Sequence, residues 1–192
     1  MASLTRPKNE VILDAALHLF VDRGFHGTAV PDIARRARVA AGTIYHYFVS
    51  KDAMANTLYR TWKEAVARAV YTEFPVAAAP REQFGVIWRT LSQFALQHPE
   101  AWAFLELHHH QSYLDAESRA IENRLKDFGT GFVERAQQAG VLKVAPAALL
   151  MELVFGAFNG MMKAHGEGRL ELTPAVLHLA EEACWDAIAA RP

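Results

Sequence analysis

Residues 42–54 read GTIYHYFVSKDAM, and this stretch decides how the chain folds and what it contacts. A helix turns by about 100° per residue, so a helix across this stretch places Ile44 and Phe48 on the same side. Those two apolar side chains anchor the helix to the core. The polar-tipped side chains then point away from it: Thr43, His46 and Tyr47 on the opposite side, and Tyr45 on the flank.

The outward side chains suit contact with a phosphate backbone. Phenol and imidazole tips hydrogen-bond phosphate oxygens, and their rings lose little rotamer freedom on ordering. Gly42 permits close approach of the helix to a duplex, and Lys51 adds a cation. The alternative is that tyrosines at helical spacing are ordinary half-buried core, but Ile44 and Phe48 already fill the inward positions.

Three short helices make up the first part of the chain. The first ends at Gly24, the usual residue just past a last helical turn. Thr28 is a good N-cap for the second, and Pro31 is tolerated within its first turn. The third follows Val39 after a short turn, which completes a helix-turn-helix pattern. The buried stripe of the first helix consists of Ile12, Ala16, Leu19 and Phe20.

Hydrophobic periodicity near 3.6 recurs from end to end and alternating runs are almost absent, so we predict an all-α protein. Ser50 caps a long fourth helix, and the proline-containing FPVAAAP at 74–80 predicts a domain boundary. We therefore expect a helix-turn-helix head at 1–50, a connecting helix at 51–73 and a C-terminal helical domain at 81–192.

Charge is divided unevenly along the 192 residues. Residues 1–60 hold eight Lys and Arg against five Asp and Glu, and residues 61–192 hold twelve against sixteen, giving +3 and −4. A basic head on an acidic body fits an anionic partner for the head. Chance segregation of solvated charges is the alternative.

Other features exclude several classes of protein. No apolar run follows the basic residues near the N-terminus, so we expect no secretory signal. The apolar region from Val144 to Met162 is interrupted by a proline, a glutamate and an asparagine, so we expect a cytoplasmic protein without a membrane span. The single cysteine, Cys184, excludes an intramolecular disulfide and a cysteine-based zinc cage.

Residues 12–54, ILDAALHLFVDRGFHGTAVPDIARRARVAAGTIYHYFVSKDAM, resemble the N-terminal domain of the TetR family of transcriptional regulators. The resemblance covers roughly a quarter of the chain and is specific, because it spans three helices and both turns. It implies a homodimer that binds a palindromic DNA operator through its two heads. It also implies a C-terminal helical domain that takes a small effector and releases the DNA.

The resemblance assigns a set of residues to DNA, with Thr43 and His46 nearest the base edges. Arg38 stands where the family prefers Gly or Asn, so a positive φ there would strain the turn. Ala29 and Ala40 replace common hydroxyl residues, which shifts the expected affinity toward Lys51 and nearby arginines, Arg35, Arg36 and Arg38. The DNA-binding residues implied are Thr28, Arg38, Gly42, Thr43, Tyr45, His46, Tyr47 and Lys51.

The C-terminal domain is rich in aromatic residues, and helix bundles place ligand cavities between such helices. Gly129 and Gly131 inside a helix indicate a close approach or open space, or else a kink. Asn159 could orient a polar ligand group or pair with a backbone carbonyl. The expected effector contacts are Trp88, Trp102, His109, Tyr113, Phe128, Phe132, Phe155 and Asn159, any of which could instead be plain core.

Residues 108–110 are three consecutive histidines. Adjacent helical residues point about 100° apart, so the three cannot converge on one ion, and we predict neither a metal nor a cofactor. An enzyme is disfavoured too, because the chain has no nucleophile elbow and no glycine-rich phosphate loop.

The last two predicted helices are expected to form the dimer interface. The segment 151–162 is apolar almost all round, so one side should meet a second subunit. The alternative is a purely internal packing of the two helices. The expected interface residues are Phe158, Met162, Leu177, Ala180, Cys184 and Ile188.

The combined expectation is a DNA-binding repressor released by a small, largely apolar effector, with an effector-dependent activator as the alternative. Two functions of other classes stay open. One is a nonspecific DNA-compaction protein, which the overall acidity disfavours. The other is a small-molecule carrier or enzyme that has kept the head as a vestige.

Overall fold

The computed structural model describes residues 6–107, 110 and 112–190. Within these residues the chain forms nine helices and an isolated antiparallel bridge between Leu142 and Ala189, which confirms the all-α prediction. The helices are α1 (Lys8–Arg23), α2 (Val30–Ala37), α3 (Ala41–Tyr47), α4 (Lys51–Glu73), α5 (Pro80–Gln97), α6 (Pro99–Leu107), α7 (Ala116–Gln138), α8 (Ala147–Gly166) and α9 (Pro174–Ile188).

Helix α1 forms as its periodicity predicts, with the whole inward stripe buried and Gly24 ending it at φ 73°. The predicted N-cap of α2 is wrong by one residue. Ala29 takes the extended cap position without a side-chain hydrogen bond, and Pro31 lies in the first turn. Thr28 is buried, and its hydroxyl donates to the carbonyls of Leu19 at 3.0 Å and Gly24 at 2.8 Å. Thr28 therefore fastens the turn to the end of α1. Its hydroxyl bonds these carbonyls and does not cap α2.

The chain divides into two compact units. One combines the chain up to Lys63 with Glu100–Arg119, and the other combines Glu64–Pro99 with the chain from Ala120 onward. The division therefore runs through α4, and not at the FPVAAAP segment. Helix α6 belongs to the same unit as the helix-turn-helix head.

A buried polar network holds the first unit together around Asn56, which is 3% exposed. Its amide nitrogen donates to the carbonyls of Asp52 at 2.9 Å and Tyr113 at 2.8 Å. Its amide oxygen accepts from the Asp115 backbone at 2.9 Å and from the Ser118 hydroxyl at 2.8 Å. All four bonding positions of the amide are thus filled, which ties α4 to the segment that leads into α7.

The second unit is built from α5, α8, α9 and parts of α4 and α7. The indole nitrogen of Trp88 donates to the Leu177 carbonyl at 3.1 Å, and its ring meets the Phe158 ring edge-on at 5.1 Å. Thr173 caps α9 by accepting from the Val176 amide, and Pro174 follows at the first helical position as predicted. These contacts join α5 to both C-terminal helices.

Helix α8 begins within the apolar region from Val144 to Met162, runs without interruption through the rest of it and ends at Gly166. Pro146 lies at its N-cap, where proline is tolerated, and Glu152 and Asn159 lie inside the helix. By length and composition alone α8 could cross a membrane, but a single such helix is weak evidence because helices of soluble proteins pass the same test.

Replacing Asn56 with alanine tests the network. The Asn56→Ala variant leaves buried partners unpaired, so we expect a loss of about 2 to 4 kcal/mol in the free energy of unfolding. Urea denaturation at one fixed protein concentration measures it. Asn123→Ala, an exposed residue of α7, is the matched control and should change stability by less than about 0.5 kcal/mol. Equal losses in the two variants would contradict the network's importance.

Candidate nucleic-acid interface

Helix α3 has the two-sided character that its sequence predicts. Ile44 is 1% exposed and Phe48, the residue just past the helix end, is 8% exposed. On the other side Tyr45 is 58% and Tyr47 44% exposed. His46 is exposed as well. The apolar pair anchors the helix, and the polar-tipped side chains lie on the surface.

The outward side chains of α3 are partly pre-ordered. The His46 ring meets the Tyr47 ring edge-on, with centroids 5.2 Å apart at an interplanar angle of 83°. Thr43, at the start of the helix, is half-buried. Gly42 is exposed, and a Cβ added there would meet no atom within 4 Å. The absence of a side chain at Gly42 is thus not demanded by packing within the chain.

Several basic side chains surround this helix. Arg35 pairs with Asp32 at 2.7 Å. Arg36 and Arg38 are exposed and have no ion-pair partner among the residues that the structure describes. Arg38 has φ 55° and ψ 44°, the left-handed region, so the strain that its position suggested is present. The end of α2 therefore presents Arg36, and the turn after it presents Arg38 in a strained backbone conformation.

Lys51, at the start of α4, has partners inside the chain. Its ammonium donates to the Phe25 carbonyl at 2.8 Å and the Thr28 carbonyl at 2.9 Å, and it lies 4.2 Å from the centroid of the Phe25 ring. An ammonium has three donors, and these two carbonyls accept from two of them. The Thr28 hydroxyl, in contrast, donates its one proton inside the fold.

The residues predicted to contact an effector are spread over both units. Trp102 and Tyr113 belong to the first unit, and His109, with His108, lies outside the described residues. The second unit contains Trp88, Phe128, Phe132, Phe155 and Asn159.

Trp88 and Phe155 share an apolar cleft of about 40 Å³ with Phe84, Leu91 and Phe158. A cleft of this volume holds little more than one water molecule. Elsewhere in the second unit, the Phe128 ring packs edge-on against Tyr71 at 5.1 Å and Phe74 at 4.9 Å.

Two features of the second unit bear on the predicted effector site. The side-chain oxygen of Asn159 is buried and has no hydrogen-bond partner among the described residues. A Cβ at Gly129 would lie 2.7 Å from the Met151 methyl group, so this glycine allows a close approach of the α8 side chain. Of the alternatives predicted for Gly129, the structure has the close approach.

The residues predicted for the dimer interface mostly lie inside one chain. Phe158, Met162, Cys184 and Ile188 are each at most 9% exposed, so they cannot form a surface for a second copy. Leu177 and Ala180 are half-buried. The burial of Cys184 also raises the pKa of its thiol, which disfavours the reactive thiolate.

Helices α8 and α9 expose a different set of apolar side chains from the one predicted for the dimer interface. Leu149 and Leu153 of α8 are each 51% exposed, and Leu179 of α9 is 66% exposed. Small residues accompany them on the surface: Gly156, Ala157, Gly160, Ala183 and Ala187.

The sequence matches two models of known protein families. Residues 12–60 match the family model "Bacterial regulatory proteins, tetR family", and residues 61–190 match "Tetracyclin repressor-like, C-terminal domain". The chain belongs to the TetR family. It is thus a DNA-binding transcription regulator and not an enzyme.

Individual relatives match the chain over different lengths. The Fatty acid metabolism regulator protein of Bacillus subtilis is 28% identical over 159 residues, which is 80% of this chain and 81% of that protein. The HTH-type transcriptional regulator UidR of Escherichia coli is 33% identical, but over 58 residues, 30% of each chain. A TetR family transcription regulator from Marinobacter aquaeolei superposes with a TM-score of 0.82 at 27% identity, over 96% of each chain.

Two contacts that matter to the head escape sequence reasoning. The Phe25 ring stacks on the Tyr113 ring with centroids 4.0 Å apart, and Asn56 binds the backbone near Tyr113. Neither pairing has a local signal, because the partners lie far apart in the sequence. Asn56 and Tyr113 are separated by 57 positions, and Phe25 and Tyr113 by more. The one hint is Asn56 itself, a polar residue among buried neighbours of α4.

Two substitutions at Arg38 separate the effect of its charge on stability from the effect of its strained backbone. Arg38→Gly removes the cation and relieves the left-handed conformation, so we expect the free energy of unfolding to rise by up to about 1 kcal/mol. Arg38→Gln removes the same charge and keeps the strain, and should leave stability near that of the parent chain. Denaturant titration of both variants measures this, and equal stability of the two would contradict the assigned strain.

Proposed function

We propose that the chain is a homodimeric repressor whose α3 enters the major groove of a palindromic operator and which a small, largely apolar effector releases. The observation that carries the proposal is the exposure of Tyr45, His46 and Tyr47 on a helix anchored by Ile44 and Phe48. Residues 1–50 then bind DNA, 51–73 connect, and 81–192 bind the effector and the second copy.

The side chains around α3 divide by chemistry. Thr43 and His46 face base edges, where a hydroxyl and an imidazole can discriminate bases. Tyr45 and Tyr47 donate to phosphate oxygens, and Gly42 lets the helix approach the backbone. Arg36 and Arg38 supply charge, and Lys51 adds its remaining N–H. We assign Thr28 a positioning role, because its hydroxyl is bound inside the head.

A second copy covers the exposed apolar face of α8 and α9. Leu149 and Leu153 lie one turn apart on the same side of α8, and soluble proteins rarely leave a contiguous apolar patch open to water. The exposed glycines and alanines of α8 and α9 let two helices from each chain approach closely. A two-fold dimer would then present two α3 helices to half-sites about 34 to 36 Å apart, one turn of the duplex.

The proposed effector is small and largely apolar. The B. subtilis relative is named as a regulator of fatty acid metabolism. A small apolar effector would suit the aromatic residues of the C-terminal domain, with Trp88, Phe128, Phe132 and Phe155 as its contacts and Asn159 as a polar anchor. An effector that prefers the state unable to bind DNA would lower operator affinity by linkage. TetR-family regulators are soluble DNA-binding proteins, and we place this one in the cytoplasm.

Selection from a random-duplex pool tests the proposal. The purified chain should enrich an inverted repeat and bind it at least about 1,000-fold more tightly than a scrambled duplex at the same salt concentration. Tyr45→Phe removes one phenol hydroxyl, so it should weaken binding to both duplexes by about two- to tenfold.

The control for that variant is Tyr71→Phe, because Tyr71 is similarly exposed but belongs to the second unit. It should bind like the parent chain. Equal affinity of the parent chain for selected and scrambled duplexes would refute the proposed function and favour nonspecific compaction. An unaltered affinity of Tyr45→Phe would remove Tyr45 from the interface.

A substitution on the exposed apolar face of α8 tests the proposed dimer. Leu153→Glu places a charge on the exposed apolar face of α8, so the proposed dimer should dissociate to a folded monomer. Sedimentation equilibrium measures the mass. Val144→Glu, at a position 97% exposed outside both helices, is the matched control and should leave a dimer. A Leu153→Glu variant that keeps the dimer would place the interface on another surface.

A further inference from the structure

The turn between α1 and α2 is held from two sides. On one side Lys51 donates to the carbonyls of Phe25 and Thr28. On the other side the Phe25 ring stacks on Tyr113, with centroids 4.0 Å apart and planes at 24°. The Phe25 ring thus lies between the ammonium of α4 and a tyrosine far along the chain.

Tyr113 is in turn fixed to the end of α6. Its hydroxyl lies 2.5 Å from Nδ1 of His110, and Nε2 of His110 lies 2.5 Å from the Phe104 carbonyl. A carbonyl only accepts, so Nε2 carries the proton, and in the neutral ring Nδ1 accepts from the tyrosine. Burial, with a smaller effect of Asp52, raises the pKa of Tyr113 to about 12, so the phenol keeps the proton that it donates.

The same end of α6 also contacts α1, because the Phe104 and Phe20 rings stack with centroids 6.1 Å apart. The side chains from Phe104 to Phe25 therefore form a continuous path from α6 to the turn. That turn leads directly into α2, which packs against both α1 and α3. A shift of the turn consequently alters how α3 is presented.

We propose that Tyr113 is a positioning residue for DNA binding, with the Phe25–Tyr113 stack as the joint between the end of α6 and the DNA-binding head. His110 holds the tyrosine in place, and Lys51 holds the phenylalanine. The inference rests on the proposed function and assigns the regulation of the same DNA site. A change at the end of α6 reaches α3 through this joint, although Tyr113 itself touches no DNA.

The stack differs from ordinary core filling in a measurable way. A residue that only fills space changes the fraction of folded protein, whereas a positioning residue changes the operator affinity of the folded protein. It should do so without changing the salt dependence of binding, because no charge that faces phosphate is lost. Its effect should also vanish once its partner ring is gone.

The test compares Tyr113→Leu, Phe25→Leu and the double variant on the duplex recovered by selection. Each single variant should weaken binding by about three- to tenfold, the range to which one aromatic pair corresponds. The double variant should be no weaker than the worse single variant, and all should keep the parent's salt slope. Tyr113→Phe keeps the ring and should bind within about twofold of the parent chain.

Hydrogen exchange provides a second readout in the same proteins. The Thr28 amide donates to the Phe25 carbonyl across the turn, so its exchange should accelerate in Tyr113→Leu and stay slow in Tyr113→Phe. Tyr71→Leu, which removes an aromatic contact in the second unit, is the matched control and should change neither readout. If Tyr113→Leu does not fold, Phe25→Leu tests the joint from its other side.

The outcomes separate the inference from the function on which it rests. Unchanged operator affinity in folded Tyr113→Leu, or an effect that adds to that of Phe25→Leu, overturns the joint while the repressor stands. A parent chain without sequence preference overturns the repressor. In that case the Thr28 exchange decides the joint, and unaltered exchange in Tyr113→Leu overturns it.

Discussion

The burial of Ile44 and Phe48 is the constraint on which the rest of the structure depends. These two side chains set the rotation of α3 about its own axis, and the polar-tipped side chains face outward only because the apolar pair faces in. The surrounding contacts maintain that rotation: Thr28 fastens the turn to α1, and Lys51 fastens it to α4. A helix of two turns such as α3 has little stability of its own, so this packing stabilises it.

The head was predictable from sequence because its signals are local. The spacing of Ile44 and Phe48, the glycine at the end of α1 and the Ser50 cap of α4, whose hydroxyl accepts from the Ala53 amide, all act within one or two helical turns. Thr28 shows the limit of such rules. It is a good cap by type, but two carbonyls at the end of α1 bind its hydroxyl instead.

The C-terminal half was predicted less well, for a physical reason. A helix that is apolar nearly all round, such as α8, does not indicate which side faces its own core. Phe158 is 2% exposed and Leu153 51%, although both are large and apolar. The boundary at FPVAAAP was predicted from the proline-containing composition of that segment. The contacts between residues instead divide the chain within α4. Long-range pairs such as Phe25 and Tyr113 leave no trace in local sequence.

The central claim is that the outward side of α3 contacts a duplex. Hydroxyl-radical footprinting of the protein, with and without the selected duplex, measures it at individual side chains. Our account expects strong protection of Tyr45, His46 and Tyr47 on DNA addition and unchanged reactivity of Tyr71 in the second unit. Protection confined to residues outside α3, with these three rings as reactive as in the unbound protein, would contradict it.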